Sequence, residues 1–154
     1  MTVLRRRDHD YEEVPGEIEA LARRAFLAAL TAAGYDRAAA EVSVLLTGDG
    51  EIAELHGQYL GVACPTDVMS FPSRGEGRGI EPEIKGAPDD AFLGDIVISE
   101  DTARSQALEY GNSLESEIAL LIVHGTLHLI GYDDQDPESA SAMREMEGKA
   151  LALL

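Results

Sequence analysis

His124-Gly125-Thr126-Leu127-His128-Leu129-Ile130-Gly131-Tyr132-Asp133-Asp134 is the stretch that decides how the remainder of the chain is read. Its two histidines stand four residues apart, about one helical turn. Both imidazoles therefore leave one face of a helix, near enough to share a metal ion. A helix supplies two such ligands comfortably, and a third has to return from beyond its end. Gly131 is suited to end the helix in a left-handed conformation, which lets the chain turn and carry Asp133 or Asp134 back toward the same ion. Two imidazoles and one carboxylate, with coordination positions left open, form the ligand set of a catalytic zinc site.

The residues before this stretch extend the helix back to Asn112 or Ser113, and their apolar segment Ala119–Val123 predicts burial on most sides. Beyond it, Asp136-Pro137-Glu138 is a helix start with proline at the first position, and Ala140, Met143, Ala150 and Leu154 supply the apolar stripe. Toward the N-terminus, Ser99 caps a helix whose first turn holds Glu100 and Asp101, favourable at the positive end of the helix dipole. Residues 17 to 33 carry Ile18, Leu21, Ala22, Ala25 and Leu30 at helical spacing, with Gly34 as the stop. Asp49 reads as the N-cap of a helix running to about Leu60. Strands are expected at residues 2–7, 40–46, 66–71 and 92–99, and Ser73 to Asp90, rich in Gly, Pro and charge, reads as a mobile surface loop. The expectation is one α+β domain over residues 1–154: a small mixed four-stranded sheet, about five helices, and the metal site at the end of a central buried helix.

A chain of 154 residues with 45% hydrophobic content can bury a real core. No apolar run approaches the length of a membrane span. Three arginines within residues 1–7 are not followed by an apolar stretch, which argues against a secretory leader. The single cysteine, Cys64, cannot form an internal disulfide and fits a reducing cytoplasm. A net charge of -17, from 12 basic and 29 acidic residues, weighs against extensive phosphate contacts. Arg5, Arg6 and Arg7 form the one dense basic cluster and read as a solvated strand end. His9, His56 and Cys64 read as surface or packing residues rather than ligands or a nucleophile.

The histidine spacing also matches the metzincin pattern H-E-x-x-H-x-x-G-x-x-H, in which the glutamate is a protease's general base. Gly125 occupies that place here, so peptidase chemistry is not expected. Glu117 lies two turns before His124 on the same face, about 10 Å along the axis. That is too far to join His128 at one ion, and leaves either a groove carboxylate or a surface charge.

His124 to Asp133 resembles, at every specified place, the signature H-G-x-L-H-L-x-G-Y-D-H of the YbeY family of bacterial rRNA maturation factors. Pro65 to Pro72 is similar to that family's P-T-D-V-L-S-F-P segment, and Leu93 to Ser99 to its L-G-D-I-x-I-S segment. Gln106, Ala107, Glu117, Met143 and Glu147 fit as well, so the resemblance spans about residues 40 to 150. It implies a cytoplasmic metal-dependent endoribonuclease, with His124, His128 and Asp134 holding one Zn2+, and with rRNA and ribosomal particles as partners. DNA and membranes are not expected as partners, and the oligomeric state is left open.

The chain departs from the family at two places. Asp134 stands where the family's third ligand is a histidine, and this harder donor admits other divalent ions. In Leu55 to Leu60, His56 replaces an asparagine and Leu60 an arginine suited to phosphate, a loss expected to weaken RNA affinity and catalysis. Two other readings follow from these changes and from the charge: a non-catalytic, metal-stabilised ribosome-assembly module, or a zinc hydrolase of another substrate. Asp133 is a candidate general base by position alone; the catalytic residues are otherwise unknown.

Overall fold

A computed structural model describes residues 1–36, 40–73 and 91–154. Its elements are β1 (Thr2–Arg7), β2 (Asp10–Glu13), α1 (Gly16–Ala32), β3 (Glu41–Thr47), α2 (Asp49–Leu60), β4 (Val68–Pro72), β5 (Phe92–Ser99), α3 (Glu100–Tyr110), α4 (Leu114–Leu129) and α5 (Pro137–Leu151). The α+β expectation and its five helices agree with this order. The sheet has five strands rather than four, in the order β2-β1-β3-β5-β4. The extra strand, β2, has every residue exposed, so it offers no buried alternation to read. It pairs antiparallel with β1 across Asp8 and His9, both at positive φ (50° and 69°), a two-residue hairpin turn without glycine. All but the first residue of the expected loop at Ser73 to Asp90 lies outside the described residues.

β1, β3 and β5 run parallel, and β4 runs antiparallel along the outer edge of β5. Side chains on β5 alternate between two cores. Ile96 and Ile98 join the large core with α1, α4 and α5, whereas Val97 packs with Ile52 of α2, Met69 and Phe71. α4 runs through the large core, and its Ile118, Ile122 and Leu127 are at most 1% exposed. Burial of that kind contributes roughly 1.5–3 kcal/mol per side chain, enough to keep α4 a fixed base for whatever its far end carries. Gly125 packs tightly against the sheet: a side chain there would meet Ile96 Cγ2 at 2.9 Å and Ser70 Oγ at 3.1 Å. The position that holds the glutamate of a metzincin is thus filled here by helix–sheet packing.

The helix ends follow local chemistry. The hydroxyls of Ser99 and Ser113 accept from the backbone N–H groups of Thr102 and Ser116, and Asp136 accepts from Ser139 ahead of Pro137. One expectation is corrected. α2 begins at Asp49 itself, after Gly48, and Asp49 does not cap its own helix. Its carboxylate accepts instead from the Ser99 and Thr102 hydroxyls at 2.5 and 2.6 Å, while Asp101 accepts the Asp49 N–H at 3.0 Å. The two helix starts are thus tied to each other, Asp101 capping α2 and Asp49 holding the hydroxyls at the start of α3, a pairing visible only once β3 and β5 lie side by side.

Candidate metal centre and its cleft

α4 ends as the sequence predicts. Gly131 has φ 105°, the Tyr132 N–H reaches the Leu127 carbonyl at 3.0 Å, and the Gly131 N–H reaches that of His128 at 3.1 Å. This pair of bonds is a Schellman closure, and it reverses the chain toward α4. Asp133 stabilises the turn, its Oδ1 accepting the N–H groups of Asp134 and Gln135 at 2.7 and 3.2 Å. That leaves Asp134 as the carboxylate that returns. Its Oδ2 lies 3.9 Å from Nε2 of His124 and 3.9 Å from Nε2 of His128. The two Nε2 atoms are 3.0 Å apart. His124, His128 and Asp134 are the group among the described residues able to hold a metal ion, with ligand atoms all within 4.8 Å of one another.

The other ring nitrogens decide what those Nε2 atoms can do. His128 Nδ1 lies 3.0 Å from the Tyr132 carbonyl oxygen, and His124 Nδ1 lies 2.5 Å from Glu147 Oε1 on α5. A carbonyl and a carboxylate only accept, so each Nδ1 carries a proton, and in the neutral ring each Nε2 presents a lone pair. At 3.0 Å the two Nε2 atoms either share one proton or, with both rings neutral, turn two lone pairs to one cation, and the donor set suits a divalent metal. Burial alone would lower the pKa of His124. The hydrogen bond to Glu147, then the charges of Glu147, Asp134 and Asp67, outweigh it and hold the imidazole above its ordinary value. The same negative surroundings favour a metal cation.

From His124 a cleft of about 520 Å³ runs back along α4 between α3 and α5. Among the described residues its charged lining is Asp67, Glu117, Asp134 and Glu147 against the single cation Arg144, beside His124. Glu117 is not a surface charge: it is 3% exposed and lines the cleft. Glu147 was part of a motif in the sequence, but nothing there tied it to His124, 23 residues away. The arginines of β1 lie elsewhere and are paired. Arg5 makes a bidentate contact with Glu100 at 2.7 and 2.9 Å, Arg7 approaches Glu100 at 3.7 Å, and Arg6 approaches Glu51 at 3.7 Å.

The sequence profile described as endoribonuclease YbeY matches residues 5–154. The chain belongs to the endoribonuclease YbeY family. A YbeY endoribonuclease of Heliobacterium modesticaldum is 44% identical over 128 residues, covering 80% of this chain and 75% of its own. One from Symbiobacterium thermophilum is 42% identical over 147 residues, covering 94% and 92%. A Thermotoga maritima protein solved in solution shares the fold with a TM-score of 0.57 and 27% identity, covering 92% of this chain and 84% of that one. The two departures from the YbeY pattern have separate structural settings. Asp134 reaches the histidine pair. Leu60 is 66% exposed at the end of α2, and His56 donates from Nδ1 to the Cys64 carbonyl at 2.9 Å; neither lines the cleft. No helix among the described residues is long and apolar enough to cross a membrane.

Proposed function

We propose that this chain is a cytoplasmic, metal-dependent endoribonuclease that cuts single-stranded RNA in rRNA processing and ribosome maturation. The observation that carries the reading is the convergence of two oriented imidazole nitrogens and one carboxylate, in a chain of the YbeY family. His124, His128 and Asp134 would hold one Zn2+. When bound, such an ion supplies a water of lowered pKa and polarises a phosphodiester. Glu147 accepts the Nδ1 proton of His124, and the Tyr132 carbonyl accepts that of His128, so neither ring can turn its lone pair away. Asp133 braces the turn that presents Asp134.

A second reading, a metal-stabilised assembly module without turnover, is favoured by four carboxylates and one arginine in the cleft, together with Leu60. The test is metal content and single-stranded RNA cleavage by the purified chain and its His128→Ala variant. The nuclease reading expects one divalent ion per chain, with cleavage reduced to background in the variant. Equal cleavage by both proteins sinks it. A chelator-induced drop in Tm without any turnover selects the assembly module.

A further inference from the structure

Glu117 presents a problem that the metal site does not solve. Its residue is 3% exposed and its Oε2 is buried without a hydrogen-bond partner among the described residues. A buried carboxylate in that state costs free energy unless a donor reaches it. It lies two turns of α4 from His124, about 10 Å along the axis, in the same cleft. The same cleft is lined by Leu120 and Leu121, by Tyr110 of α3, 66% exposed, and by Arg144 of α5.

This lining suits a nucleobase and not a phosphate. Carboxylates repel the sugar–phosphate backbone but accept N–H groups from a base edge. An exposed tyrosine ring provides a face on which an unstacked base can lie. We infer that the cleft beside the metal centre is a nucleobase pocket in which Glu117 reads guanine. Guanine alone places two adjacent donors, N1–H and the N2 amine, on its Watson–Crick edge, where a carboxylate can accept both. Adenine and cytosine set a ring acceptor beside their amine, and uracil flanks its N3–H with carbonyls. Their lone pairs would face a Glu117 oxygen. The Watson–Crick edge is free only in unpaired RNA, so the pocket also excludes duplex. The inference rests on the nuclease reading for its substrate class, and it accounts for an acidic cleft in a chain of an RNA-cutting family.

The experiment titrates the metal-loaded full chain with GMP, IMP, AMP, CMP and UMP by NMR, with wild type, Glu117→Gln and Tyr110→Ala. GMP should bind at least about tenfold more tightly than AMP, CMP or UMP, in line with the loss expected when a polar site is offered an analogue lacking its donor. IMP, which lacks the N2 amine, should fall between. Glu117→Gln should reduce GMP to the level of AMP, and Tyr110→Ala should weaken all five about equally. Thermal melts verify folding, and Glu117→Gln removes an unpaired buried charge, so it should not destabilise the chain. Equal binding of all five, or GMP binding unchanged in Glu117→Gln, overturns the pocket. A second arm cleaves single-stranded oligonucleotides containing one G, A, C or U in an otherwise constant sequence. Cleavage without preference overturns the pocket and leaves the nuclease reading intact. Glu117-dependent GMP binding without any cleavage does the reverse.

Discussion

Among the described residues, two clefts are of nearly equal size, about 520 Å³ beside α4 and about 480 Å³ at the C-terminal ends of β1 and β3. Both are rich in carboxylates, yet they differ in whether those groups are matched. In the second cleft Glu100 takes two donors from Arg5, Glu51 takes the Thr47 hydroxyl, and Asp49 takes two hydroxyls. Arg6 Nε lacks a hydrogen bond, but it still lies 3.7 Å from Glu51. In the first cleft Glu117 Oε2 has no partner among the described residues, and two imidazole Nε2 atoms face each other at 3.0 Å. Matched charges hold strands and helix starts together; unmatched ones are set for something from outside. The difference teaches that residue composition alone does not mark a site, whereas incomplete hydrogen bonding does.

The comparison breaks first at Glu100. Glu100→Ala strands the Arg5 guanidinium, 15% exposed, and should cost about 3 kcal/mol with metal affinity unchanged, measured by denaturant melts and metal titration. A neutral result would mean that the matched cleft is not structural. Next, Glu147→Gln should weaken metal binding about 10- to 100-fold in a chelator competition, with the Tm of the metal-free protein held within a few degrees. Unchanged affinity would remove Glu147 from the metal centre.

The smallest effect is expected at a third kind of buried carboxylate. Asp95, 6% exposed, sits within the sheet opposite Ser43. Burial raises its pKa from 3.8 to about 6, and the hydrogen bond from Ser43 pulls the other way. A raised carboxyl pKa means that the folded chain favours the protonated form. This contribution is therefore complete below the unfolded pKa, declines as pH rises through about 6, and is gone above it. Asp95→Asn should remove that slope and stabilise the chain at pH 7 by on the order of 1–2 kcal/mol, allowing for solvent screening. A variant whose stability keeps the wild-type pH slope would refute the assignment.

Most elements were legible because their signals are local. Apolar spacing, Ser99, Ser113 and Asp136 as caps, and Gly131 as a stop all act within a turn of where they stand. β2 was not legible, since an exposed strand of Asp, Tyr and Glu carries no apolar period and depends on β1 for its bonds. Asp49 was misread for a related reason. Its side chain has several acceptor options, and the choice rests on Ser99 and Thr102 arriving from about fifty residues away.

The candidate metal centre divides along the same line. The sequence by itself determined the histidine pair, the turn after it, and a returning carboxylate, because helical pitch and a left-handed glycine act over a few residues. It also determined that protease chemistry lacks its glutamate at Gly125. The family resemblance already put Asp134 at the third-ligand place, and the fold agrees, since Asp134 faces the histidines while Asp133 braces the turn. Tertiary structure alone decided that Glu147 orients His124 and that Glu117 Oε2 is buried without a partner among the described residues. Those outcomes depend on where α3, α5 and the turn pack against α4. Hydrogen bonding and burial are properties of the assembled neighbourhood, and no residue carries them alone.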